Sequence, residues 1–346
     1  MAQNKYVGFI IPFFGSFPNY FPLFLKSCER NSGYDWLIFT DNYSQYSYPE
    51  NVKVFHTTFE ELKKRVERAF PFPVKLPFPY KLCDFKPAYG LIFREELSDY
   101  KYWGYCDVDL ILGNLTRFLD EEQLRRYQKH FYLGHMCIYE NTDDMRTLFF
   151  KGHARKDGTS SKYGYLDVFG SGENRIFDEW SEKTETINEI AENRGVTVNP
   201  TFPMLDIRPW RSRFYSSVFD ADVHKWLHNS SDNYIVTWEE GSMYAFSTGK
   251  DRGELIKKEI LYAHFQKRAL RFNLEDLNSE KFIIYPNRIK ACEEINDKRI
   301  KRCMSWAKIR RWLRVDERRQ LAKTAAALWK HRAKKLVRML RREKQI

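Results

Sequence analysis

The chain has 346 residues, 43% of them apolar and 16% aromatic, which is enough for one large catalytic domain or two small ones with a real core. No apolar run approaches the roughly 18 residues that span a bilayer, and no secretory segment opens the chain, so a cytoplasmic protein is expected. The formal charge of +12 is concentrated at one end: residues 301–346 hold 17 Lys and Arg against 3 acids, leaving 41 basic and 43 acidic residues elsewhere. The six cysteines form no C-x-x-C pair and no zinc-like spacing, as expected of reduced thiols.

YVGFIIPFF (6–14) is a continuous apolar run that predicts a first buried strand, with Pro12 ending regular pairing. FPLFLKSCERN predicts a helix, WLIFTDN from Trp36 a second strand and VKVFH (52–56) a third. TFEELKKRVERAF predicts a helix opened by a capping box at Thr58 and Glu61, and PFPVKLPFPY a rigid connector. A further helix is expected to start at Asp84 as N-cap, with Pro87 in its first turn and Ala88, Leu91, Ile92 and Leu97 on its apolar face. Tyr102, Trp103, Tyr105 and Cys106 suit a strand buried on both faces.

Beyond it, FYLGHMCIYE (131–140) predicts another strand and 151–174, rich in Gly, Ser and Lys, a long surface loop. Residues 176–195 predict a helix with Asp178 and Glu179 at its start. YIVTWEEGSMYAFS (234–247) predicts a hairpin turning at Glu240-Gly241, and 260–268 and 281–289 two late strands. This order argues for an α/β layered sheet, placed in a domain over 1–296.

The chemistry centres on Asp107 and Asp109, at the carboxyl end of the Tyr102–Cys106 strand, where open α/β sheets bind ligands. Side chains two apart on extended backbone point the same way, so the pair can share one hard cation, Mn(II) or Mg(II). Two aspartates after a strand also describe a solvated loop. The spacing does not fit an EF-hand, because Ile111 and Leu112 fall where ligands should be, and neither G-x-G-x-x-G nor a P-loop is present.

The pattern Asp84 … Gly90-Leu91 … Tyr102-Trp-Gly-Tyr-Cys-Asp107-Val-Asp109 resembles the core of nucleotide-sugar glycosyltransferases with the GT-A fold and a DxD motif. Residues 6–290 resemble a group of bacterial glycosyltransferases found among surface-polysaccharide genes, through IPFFG, FTDN, KLCDFKPAYG, GYCDVDLILGN, FDEW and YAHFQKR. The chain departs from better-known relatives in having Tyr89-Gly90-Leu91 where they carry a Gly-Gly pair. The resemblance implies a GT-A-like, Rossmann-like mixed sheet flanked by helices. It also implies a donor that is a nucleoside diphosphate sugar, UDP-linked first, and an acceptor that is a lipid-linked or growing glycan of capsule or lipopolysaccharide O-antigen.

In the same resemblance Pro12, Phe13 and Gly15 approach the nucleotide, Asp41 bonds ribose or base, and Lys81 and Asp84 line the donor pocket. His264 completes a metal shell with Asp107 and Asp109, and Lys267 and Arg268 neutralise the diphosphate. Asp41 equally fits a turn residue bonding local backbone. Glu173, Asp178 and Glu179 are candidates for a general base, although acids at a helix N-terminus are also what the macrodipole favours.

Residues 297–346 are expected to form a basic amphipathic tail. Trp306, Ile309, Trp312 and Leu313 share one face, and Leu321, Leu328, Trp329 and Leu336 another. Such helices lie on anionic membranes, dock on their own protein or track nucleic acid; the membrane, at the inner face of the cytoplasmic membrane, is the reading adopted and no nucleic acid is expected. Two further classes stay open: a metal-dependent phosphoesterase using the same aspartates, and a non-catalytic adaptor acting through the tail.

Overall fold

β1 (Val7–Pro12), β2 (Tyr34–Thr40) and β3 (Val52–His56) pair in parallel, as their apolar sequences require, each connection running outward from β1. The chain then returns and lays β4 (Tyr102–Cys106) on the opposite side of β1, again parallel. After the short β5 (Leu110–Leu112) come β6 (Lys129–His130), β7 (Met136–Glu140) and β8 (Val198–Asn199). The large mixed sheet has seven strands in the order β3-β2-β1-β4-β7-β6-β8, with β7 antiparallel to β4 and β6. Helices α1 (Phe21–Glu29) and α2 (Phe59–Ala69) flank this α/β sheet, and Thr58 and Glu61 exchange the two bonds of the capping box that opens α2. The structure, a computed structural model, describes residues 6–157, 160–200, 202–207, 213–220, 225–229, 234–248, 254–266 and 268–304.

The described residues fall into two compact units. One comprises the residues up to Pro203 with 218–220 and 225–226; the other comprises Met204–Ser217 and the residues from Leu227 onward. In the second unit β9 (Met204–Asp206) pairs with β10 (Tyr215–Asp220) through Tyr215 and Ser216, and β11 (Lys225–Asn229) follows in the chain. β12 (Ile235–Glu239) and β13 (Ser242–Thr248) form the expected hairpin, its turn made by Glu240 and Gly241, both at positive φ. With β14 (Leu255–Glu259), β16 (Lys281–Tyr285) and β17 (Arg288–Ala291) they build an antiparallel sheet ordered β14-β13-β12-β16-β17, while β15 (Tyr262–His264) runs parallel to β9. A helix, Asp297–Met304, covers this sheet with Ile300 and Met304 against Ile235, Phe246 and Ile283.

Four expectations are corrected. Asp84 caps no helix: Pro79–Ala88 is a 3₁₀-helix and only Tyr89–Ile92 (α3) is α-helical. Pro87 offers no N–H to an α-helical ladder, and the Asp84 carboxylate is taken by other donors. Residues 131–140 are not one strand, because Phe131 turns to φ 74° and regular pairing resumes only at Met136. The helix expected over 176–195 is confined to Ile187–Asn193, where Thr186 and Glu189 form the capping box; Ile176 sits at φ 58°, which no helix contains. Nor is 151–174 wholly a surface loop, since Tyr165–Phe169 is helical and buries Val168 and Phe169.

Gly90 lies where a Cβ would stand 2.4 Å from the Trp103 indole, so the lone glycine of Tyr89-Gly90-Leu91 is what lets the short helix close on β4. Among the described residues no helix is long and apolar enough to cross a membrane. Residues 305–346, which hold most of the expected amphipathic tail, lie outside the described residues.

Candidate functional site

Because β1 is followed by β2 on one side and neighboured by β4 on the other, the carboxyl ends of β1 and β4 flank the point where the strand order reverses, which is where open α/β sheets bind ligands. A small cleft opens there, bounded by Pro12 and Phe13 from the end of β1, Lys86 and Tyr89 from the 3₁₀-helix and α3, and Asp107 and Val108 just past β4. β4 ends at Cys106, and after Asp107 a turn over 108–109 leads into β5. The two carboxylates come within 4.8 Å of each other. Asp107 is half-buried, with its N–H bonded to the carbonyl of His135 at 2.8 Å, and Asp109 is buried.

The strongest electrostatic feature of the cleft is a residue that sequence reasoning passed over. Lys86 is buried, and its ammonium donates to Asp107 Oδ1 at 2.8 Å and to the Gly134 carbonyl at 2.7 Å, with Asp178 Oδ2 at 3.4 Å. Burial alone would depress its pKa, but the carboxylates of Asp107 and Asp178 outweigh that cost and raise it, so Lys86 is a permanent cation. Asp178 is itself pushed up to about 7, chiefly by burial, against the pull of Lys86. Since no helix starts there, the macrodipole account of Asp178 does not apply.

Gly134 is shaped by the same contact: a Cβ on it would stand 2.5 Å from Asp178 Oδ2. Glu179 follows Asp178 directly. Glu173 lies outside this cluster, exposed to solvent and paired with Arg175 at 3.3 Å.

Lys81 and Asp84 form a second buried pair on the same 3₁₀-helix, 2.7 Å apart and both fully inaccessible. Lys81 also donates to the carbonyls of Val168 and Glu173 at 2.8 and 2.6 Å, and Asp84 Oδ2 accepts the Arg175 N–H at 2.8 Å. The pair pins the 168–175 segment beneath the cleft. Burial lowers the Lys81 pKa despite the neighbouring Asp84.

Asp41 Oδ1 accepts the Gly15 N–H at 2.7 Å, and Asn42 donates to the Gly15 carbonyl at 2.9 Å. The loop after β1 and the loop after β2 are thus latched together. Asp41 behaves as a loop residue bonding backbone across strands, and it stays exposed beside the nucleotide-facing loop expected from Pro12 to Gly15.

In the second unit, His264 on β15 is buried with Nδ1 3.1 Å from Asp206 Oδ1. Asp206 is held in turn by the Ile207 N–H at 2.6 Å, by Gln266 at 2.7 Å and by the Tyr215 hydroxyl. Asp206 thus sets a carboxylate at ion-pair distance from one ring nitrogen of His264. Arg268 is buried and Lys267 lies outside the described residues. Asp206 was not legible as a site residue, because MLDI reads as an ordinary strand end; Lys86 could have been found from the two lysines that KLCDFK places within an otherwise apolar run.

These features define an α/β protein whose charged groups gather at the carboxyl ends of two parallel strands, around a topological switch. The chain belongs to a family described as a family of unknown function (DUF6625), whose model matches residues 9–293. No curated protein matches the chain.

Proposed function

We propose that the protein is a metal-dependent glycosyltransferase of GT-A-like fold. In this reading it moves a sugar from a nucleoside diphosphate sugar, UDP-linked first, to a lipid-linked or growing glycan of a bacterial surface polysaccharide. The observation that carries the proposal is the meeting of Asp107 with Lys86, Pro12 and Phe13 in a cleft at the reversal of strand order. The sequence resemblance supplies the reaction class, and this location is where that class needs its polar groups.

The donor set fits a hard divalent cation. Asp107 commits Oδ1 to Lys86 and retains Oδ2, Asp109 follows in the turn, and His264 is the third ligand that the resemblance assigns. Mn(II) or Mg(II) bound there supplies Lewis-acid stabilisation of the leaving diphosphate. The chain's own contributions are more local. Pro12, Phe13 and Gly15, held by Asp41, form the nucleotide-facing loop, and Arg268 with Lys267 contributes positive charge toward the diphosphate. Lys81 and Asp84 act from beneath by fixing the 168–175 segment. Glu173, Asp178 and Glu179 are the general-base candidates, and of these Asp178 joins the Lys86 cluster, at 3.4 Å. The basic, Trp- and Leu-bearing tail expected over 297–346, most of it outside the described residues, is the part proposed to hold the enzyme at the inner face of the cytoplasmic membrane.

Calorimetric binding of UDP, GDP and CMP, each with and without Mn(II), to the wild type and to Asp109→Ala tests the proposal. The expected result is tight binding of one nucleoside diphosphate, UDP first, requiring both the metal and Asp109. Absence of binding by every nucleotide in both conditions overturns it.

A further inference from the structure

We propose that Lys86 is a positioning residue, a shared counter-ion that ties the candidate cation ligand Asp107 to Asp178, so that divalent-cation affinity at Asp107 depends on the Asp178 carboxylate. The inference rests on the cation reading of Asp107 given above and extends it to two residues that the resemblance does not connect. The ammonium donates to Asp107 Oδ1 at 2.8 Å and to the Gly134 carbonyl at 2.7 Å, and Asp178 Oδ2 stands at ion-pair distance, 3.4 Å. The side chain is therefore engaged with protein groups on several sides. Its role is to hold what surrounds it.

Three segments distant in sequence meet at this nitrogen: the turn after β4, the Gly134 loop before β7, and the irregular stretch that begins at the strained Ile176. Lys86 is the cation that both carboxylates approach, and without it two neighbouring like charges repel. With it, Asp107 has one oxygen fixed on Lys86, and the residue lines the cleft. Asp178 is packed so closely on Gly134 that its carboxylate has little room to move, since even a methyl there would stand 2.5 Å from Oδ2.

The arrangement has a consequence for cation binding. Asp107 and a bound dication compete with Lys86 for the same negative charge. Asp178 draws the ammonium toward itself and weakens its hold on Asp107. With a neutral side chain in place of the Asp178 carboxylate, Lys86 falls back on Asp107 and opposes the dication more strongly. Gly134 contributes a neutral carbonyl and cannot replace the lost anion. Tyr105, whose ring centroid lies 5.4 Å from the ammonium, closes the remaining side without charge.

The test is Mn(II) binding, followed by the paramagnetic signal of the free ion, to the full chain as wild type, Asp178→Asn, Lys86→Met and the double variant. Asp178→Asn is expected to weaken Mn(II) about tenfold, the scale of one pKa unit of charge interaction. The same substitution made on Lys86→Met is expected to change affinity less than about twofold, because the shared counter-ion is gone. Equal factors in the two backgrounds, or no factor in the wild type, overturn the inference. Lys86→Gln, which keeps a donor and removes the charge, replaces Lys86→Met if that variant does not fold.

Thermal unfolding of the same four proteins without metal decides the coupling by a separate route. The inference expects the double variant to lose no more in midpoint than Lys86→Met alone, whereas a loss equal to the sum of the single losses overturns it. A wild type that binds no Mn(II) defeats the cation reading of the site, while the unfolding cycle still judges whether Lys86 is shared.

Discussion

Lys81 and Lys86 stand five residues apart on one 3₁₀-helix, both buried, and they are shifted in opposite directions. Lys81 faces one carboxylate and two carbonyls, so burial dominates and its pKa falls. Lys86 faces two carboxylates and one carbonyl, and its pKa rises. The difference separates a sealed pair from one that reaches the cleft. The Lys81–Asp84 pair is sealed and bonds backbone, as a staple does. The Lys86 cluster opens on one side to the cleft through Asp107, whose side chain is 30% exposed.

The comparison is broken most strongly at the staple. Asp84→Ala leaves Lys81 as a buried cation with no anion, and unfolding in denaturant is expected to show a loss of about 3–5 kcal/mol. Replacing both partners, Lys81→Met with Asp84→Leu, should recover most of that loss, since the uncompensated charge disappears. Asp178→Ala should cost less than Asp84→Ala, because Lys86 keeps Asp107 as a counter-ion. A larger loss at Asp178 than at Asp84 would overturn the distinction.

Gly134→Ala sharpens the same contrast sterically. The added methyl meets Asp178 Oδ2 at 2.5 Å, and the carbonyl that Lys86 uses belongs to the same residue. A destabilisation of about 1–3 kcal/mol is expected, the range for forcing an extra group into packed surroundings. Asp178→Ala in the same chain should relieve most of it, which a double-mutant cycle measures.

How much of this was legible in the sequence depends on whether local pattern or tertiary contact decides each element. β3 matches VKVFH residue for residue, and the capping box before α2 is written in Thr58 and Glu61. The hairpin at Glu240-Gly241 is equally local. The elements that were misread carry their determinants elsewhere. Asp84 looks like a helix cap until Lys81 and the Arg175 N–H are known to occupy its carboxylate. Asp178 and Glu179 look like acids opening a helix, yet Asp178 is buried on Lys86 and the helix starts only at Ile187. Asp107 and Asp109 were found by motif, but the turn over 108–109 was not. Lys86 was missed because its two acids are 21 and 92 residues away in sequence.

A pH measurement tests the Asp178 environment more gently. The native carboxyl, with a pKa pushed to about 7 from an ordinary 3.8, binds more protons than the unfolded chain between those values. Its contribution to stability is therefore fully present below about pH 4 and is lost as pH rises through 7. Unfolding free energy measured across that window should decline with rising pH in the wild type. Asp178→Asn, which cannot titrate, should flatten the decline. An unchanged slope would mean that burial does not hold the Asp178 carboxyl protonated.

The smallest expected effect lies at Asp41, where the loop latch is exposed. Removing the bond to the Gly15 N–H with Asp41→Ala should cost about 0.5 kcal/mol, the low end for a hydrogen bond open to water. Hydrogen exchange at Gly15 should accelerate while exchange in β1 stays unchanged, since β1 is held on both sides by β2 and β4. If nucleotide affinity then falls far more than this stability loss accounts for, Asp41 contacts the nucleotide as the resemblance implies. If the two losses agree, its work ends at shaping the loop. The two roles of one carboxylate are thereby separated by comparing a binding free energy with a local opening free energy at the same residue.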